Sequence, residues 1–66
     1  MTVDLQQLER GLSEIRRELK MRESVYPKLI ESGKLKRTYA ERQYRALRDA
    51  AKVLEAVKEQ AARANA

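Results

Sequence analysis

Sixty-six residues make one domain at most, and a chain this short buries too thin a core to be secure as a lone monomer. It holds no Cys and no His, which removes disulfides, thiol and imidazole chemistry and the usual zinc ligands. Charged residues are 38% of the chain, hydrophobic ones 42%, and the net charge is +5, with two Gly and one Pro. A composition led by Ala, Glu, Lys, Leu and Arg belongs to long helices and coiled coils, not to sheets. No apolar run approaches the ~18 residues of a membrane span, and no charged segment leads into an apolar one at the N-terminus. The expected location is the cytoplasm, with no membrane partner.

The first helix is predicted to start at Thr2 or Asp4, either of which can cap free N–H groups. Leu5, Leu8, Leu12, Ile15, Leu19, Tyr26 and Leu29 then recur at the three- and four-residue spacings of a seam that faces another helix. Gly11 lies off that seam and is read as tolerated. Arg22 interrupts it, and its long side chain is expected to run past the core to Glu18, one turn back. Val3, Met21 and Val25 form a partial second stripe, which widens the apolar face as in a bundle helix.

Pro27 removes one helical hydrogen bond and crowds the carbonyl of Glu23. Two outcomes are open: a kinked but continuous helix, or a stop near Glu23 with a restart capped by Ser24. The apolar phase holds from Leu19 through Tyr26 to Leu29, which favours the continuous helix. Gly33 is placed to end it in a left-handed conformation, with Leu35 folding back on the last turn. Thr38 and Glu41 then fit a capping box, with a start two or three residues earlier as the alternative. The predicted seam of the second helix is Ala40, Gln43, Leu47, Ala50, Leu54, Val57, Ala61 and Ala64, flanked by Tyr44, Ala51 and Val53.

The charge is uneven. Residues 1–15 carry three acids and one base, residues 16–48 eleven bases and four acids, and residues 49–66 three of each. In a hairpin the middle third is the bend, so one end of the molecule is expected to be positive. Such an end can be a solvated surface, a site for an acidic protein face, or a site for nucleic-acid phosphates.

Catalysis finds little to work with. Ser13, Ser24, Ser32, Thr2 and Thr38 have no histidine to act as base, and each is better read as a cap or a surface hydroxyl. Glu14 and Glu18 sit a turn apart on a helix flank, where solvation is the expected state. There is no Gly-rich phosphate loop. The chain is read as no enzyme, with no catalytic, cofactor-binding or metal-binding residues and no cofactor. A recognition helix of the helix-turn-helix kind needs a short second helix on a compact core, and both helices here are long. Arg37, Tyr39, Arg42, Tyr44 and Arg45 do form a basic run with aromatics interleaved, which keeps nucleic acid as the second reading.

From Glu18 to Ala40 the string E-L-K-M-R-E-S-V-Y-P-K-L-I-E-S-G-K-L and its continuation resembles a family of small phage and prophage proteins. Their pattern is E-L-x-M-R-x-x-V-Y-P, then Gly and a basic residue, then a capping residue and a second helix. The likeness covers about a third of the chain and is most specific at Met21-Arg22, Val25-Tyr26-Pro27 and Gly33-Lys34. One departure is Lys36, where the family has Ser or Thr as the helix cap. The resemblance implies a phage-encoded accessory protein in a bacterial host, acting by binding and disabling or redirecting a host protein.

The expectation is an all-α antiparallel helical hairpin spanning residues 1–66 as one domain: helix 3–32, kinked near Pro27, turn 33–37, and helix 38–63. The seam residues are Leu5, Leu8, Leu12, Ile15, Leu19, Leu29, Leu47, Leu54 and Val57. Two such rods leave apolar surface wet, which points to a homodimeric four-helix bundle or coiled coil. The candidate partner-binding residues are Met21, Arg22, Tyr26, Lys34, Arg37, Tyr39, Arg42 and Arg45. The partner is a second copy and a host or phage protein, with nucleic acid as the alternative.

Overall fold

The computed structural model describes residues 3–64. It holds two helices, α1 (Leu5–Glu31) and α2 (Arg37–Ala64), and no strand among the described residues. They form the expected antiparallel hairpin. Cross-pairs run in opposite senses along the chain: Glu9 meets Lys58, Arg16 meets Glu55, and Glu23 meets Tyr44. The result is a rod of 49 × 17 × 15 Å with a radius of gyration of 15.2 Å. A globule of this length would have a radius of about 11 Å, so most side chains sit near a surface.

Asp4 caps α1. Its Oδ1 accepts from the backbone N–H of Gln6 at 3.0 Å and of Gln7 at 3.2 Å, two of the donors a helix start leaves free. Thr2, the other expected cap, lies outside the described residues. α1 runs unbroken through Pro27, so the restart at Ser24 does not occur. Beyond it, Gly33 takes φ 77°. Its N–H donates to Ile30 O at 3.1 Å and that of Lys34 to Leu29 O at 2.9 Å. This is the double closure that a left-handed residue allows at a helix end. The N–H of Leu35 also reaches Leu29 O, at 3.2 Å, and its side chain is half-buried.

The start of α2 departs from the capping-box reading. The helix begins at Arg37, which puts Thr38 inside the first turn. Lys36 holds the capping position, its carbonyl accepting from Ala40 N at 2.9 Å. Lysine has no side-chain acceptor for the free N–H groups, and the strong bend at Gly33 sets the start of the helix regardless.

The α1 seam is as read. Leu12 is 1% exposed, and Leu5, Leu8, Ile15, Leu19, Tyr26 and Leu29 are half-buried. On α2 half of the reading stands. Ala40 and Ala51 are buried, and Leu47, Leu54 and Ala61 half-buried. In the other row Gln43 is half-buried as read, but beyond it the row is shifted by one residue: Ala51 is buried and Tyr44 and Lys58 are half-buried, while Ala50, Val57 and Ala64 are exposed. Val57, read as a seam residue, stands at the outer edge at 37% exposure. Lys58 takes its place because a lysine stem can lie on apolar surface with its charge outside; its Nζ reaches Glu9 Oε1 at 3.3 Å.

Candidate partner-binding surface near the bend

Arg22 sits within the α1 seam, and three contacts hold it there. Its Nε donates to Glu18 Oε1 at 3.0 Å and its Nη1 to the backbone carbonyl of Gln43 at 3.2 Å, and its guanidinium lies 5.7 Å from the Tyr26 ring centroid. The expected pairing with Glu18 is therefore present. The bond to Gln43 adds a tie to α2 that fixes the relative height of the helices. A flat guanidinium can serve a carboxylate, a carbonyl and a ring together.

Beyond Arg22 the paired helices form the walls of an open cleft. Arg22, Glu23, Tyr26, Pro27 and Ile30 of α1 line it with Ala40, Glu41, Tyr44, Arg45 and Arg48 of α2. Its floor is apolar: the rings of Tyr26, Pro27 and Tyr44, with Ile30 and the buried Ala40. Its α2 side carries two arginines, Arg45 and Arg48, and one acid, Glu41. Arg45 makes no ion pair among the described residues, and Arg48 reaches only its neighbour Asp49 at 3.9 Å, a contact between exposed groups that neutralises little. Tyr44 Oη donates to the carboxylate of Glu23 across the cleft. That acceptor favours the protonated phenol, so Tyr44 is held above its ordinary value of 10.0, with a lesser push from burial and from the Glu23 charge and a partial offset from Arg48.

The structure brings three of the expected binding residues, Arg22, Tyr26 and Arg45, to this cleft. Arg42 lies around α2 in a shallow hollow with Thr38, Glu41 and Asp49, and Arg37 in another with Pro27, Ile30 and Glu31. Lys34 is in the turn. Met21 and Tyr39 are both 51% exposed and lie outside the cleft. Tyr39 and Tyr44 are five residues apart, about 140° around a helix of 3.6 residues per turn, and Tyr44 is bonded to Glu23. The interleaved aromatics therefore do not form one stacking platform.

Glu23, Ile30 and Glu41 were not among the expected binding residues, and Tyr44 was read only within the basic run that keeps nucleic acid as the second reading. A signal was available: Glu23, Pro27 and Ile30 recur at four and three residues beside the α1 seam, which places them on one flank. What α2 sets opposite that flank depends on the bend. Among the described residues no cluster of His, Cys, Asp and Glu could hold a metal ion, and no helix is long and apolar enough to cross a membrane. No family model matches this chain, and no curated protein and no solved structure matches it.

Proposed function

We propose that this chain is a small phage-type accessory protein that works by binding another protein, with no catalytic step of its own. The observation that carries the reading is the cleft near the bend, with an apolar floor at Tyr26, Pro27 and Ile30 and the cationic rim of Arg45 and Arg48. An aromatic floor that excludes water beside arginines is the composition of a protein-binding hot spot. The chemistry it fits is a partner segment that pairs an apolar side chain with Asp or Glu. The partner's acid meets the rim while its apolar group covers the rings. The phage setting rests on the motif from Glu18 to Lys34.

The test is capture from a bacterial lysate by the tagged protein, compared with the double variant Arg45→Glu/Arg48→Glu and the stem control Lys52→Glu. A protein held by the parent and by the control, but bound about tenfold or more weakly by the double variant, supports the cleft. Equal capture by all three contradicts it. Fluorescence anisotropy with labelled DNA and RNA covers the other class of partner: binding that falls steeply between about 50 and 200 mM salt would replace the protein reading with the nucleic-acid one.

A further inference from the structure

The hairpin has two broad sides. One carries the Arg16–Glu55 pair, the Glu23–Tyr44 bond and the cleft. On the other, α2 presents Ala46, Ala50, Val53 and Val57, all exposed, with Val53 at 63%. Their spacings of four, three and four are those of a helix-packing seam. Tyr39 and Ala64 extend the stripe by seven residues at either end, and the places between are filled by Gln43 and Gln60. Among the described residues Gln43 alone of these eight is half-buried and the other seven are exposed, and none of the eight is charged.

We infer that a second copy of this chain covers the stripe, with α2 antiparallel to α2 about a two-fold axis that passes between Ala50 and Val53. An isologous contact must be complementary to itself, and this one is. Counting outward from the axis sets Ala50 against Val53, Ala46 against Val57, Gln43 against Gln60 and Tyr39 against Ala64. Each layer joins a small residue to a large one, or an amide to an amide. A parallel pairing would set every residue beside its own copy, alanine on alanine and valine on valine, and would pack unevenly.

Charge selects the same arrangement. The stretch 16–48, which contains the bend, carries eleven bases and four acids, a net +7, while residues 1–15 carry one base and three acids, a net −2. Antiparallel copies place each basic bend beside the other's acidic open end, whereas parallel copies bring both bends together. The inference is independent of the cleft reading. The clefts lie on the opposite broad side, so both stay open at the two ends of the dimer.

The absence of cysteine makes single labelling clean. A spin label at Lys36→Cys reads the arrangement in otherwise unaltered protein. Lys36 lies about 15 residues from the axis, so at ~1.5 Å per residue two labels stand about 45 Å apart in the antiparallel dimer. Sedimentation equilibrium at micromolar concentration should give twice the chain mass, with that long distance by electron–electron double resonance. A monomer mass, or a dimer with labels within about 25 Å, overturns the proposal. Ala50→Arg/Val53→Arg should weaken association at least a hundredfold. Unchanged association of that variant equally overturns it, and the wild-type surface readout stands even where the variant loses helicity.

Discussion

The stem and the bend of this hairpin share one helical period and reach different ends. In the stem, Leu12 on α1 and Ala51 on α2 are both buried. The pairs Arg16–Glu55 at 2.8 Å and Lys58–Glu9 at 3.3 Å lie outside that seam. Toward the bend the same seam positions hold Arg22 and Tyr26: Arg22 donates to the Gln43 carbonyl and lies over the Tyr26 ring, and beside them Tyr44 bonds to Glu23. Alanine is buried in both regions, Ala51 in the stem and Ala40 toward the bend, but the large α1 residues beside it change from aliphatic to long and polar-tipped. The stem therefore supplies cohesion, and the bend supplies a cleft in which a cationic rim borders exposed rings.

That contrast can be broken first in the stem. Leu12→Ala should lower the unfolding free energy by about 2–5 kcal/mol, read by urea denaturation. A loss under 1 kcal/mol would mean that the stem is not where cohesion lies. Next comes Arg22→Ala, which removes the tie to the Gln43 carbonyl, the Glu18 pair and the ring contact. A cost of about 1–3 kcal/mol is expected, with hydrogen exchange rising toward the bend more than in the stem. Gly33→Ala should cost about 1 kcal/mol, because φ 77° suits glycine, although a Cβ there would meet nothing within 4 Å.

Lys36→Asp works in the other direction. An acceptor at the capping position should raise stability by about 1 kcal/mol, measured as a higher urea midpoint. The smallest effect is the pH dependence of Tyr44. Its value is raised in the folded state, so this contribution to stability is fully present below the ordinary tyrosine value and is lost as pH rises through the raised one. Absorbance at 295 nm should show a tyrosine step above the ordinary tyrosine value, and Glu23→Gln should bring that step back down. A titration that Glu23→Gln leaves unchanged would remove the Glu23–Tyr44 bond from the account.

The leucine seam of α1 was legible because every third or fourth residue from Leu5 to Leu19 is large and aliphatic, and only one face of a helix can hold that pattern. Gly33 was legible as a stop for a similar reason: few other residues accept its φ. On α2 the signal thinned. Alanine occurs on all sides, so Leu47 and Leu54 fixed one row while Val57 and Lys58 competed for the other. Hydropathy favoured Val57, yet the lysine stem with Glu9 within reach filled the inner place. Arg22 and Tyr26 were identified as site residues from their motif. Tyr44 was read only within the basic run, and Glu23 and Ile30 not as site residues at all, because the cleft depends on which residues the bend sets opposite one another, a relation between helices that no local pattern encodes.

All of this depends on the chain doubling back at Gly33, and a distance between the two ends reads that directly. Fluorophores at Gln6→Cys and Ala62→Cys, on chains diluted with unlabelled protein, should lie within about 20 Å, as neighbouring ends of a packed helix pair with axes ~10 Å apart. A distance near 85 Å, the length of one continuous helix over those residues at ~1.5 Å each, would contradict the hairpin, and with it the cleft and the two-sided packing.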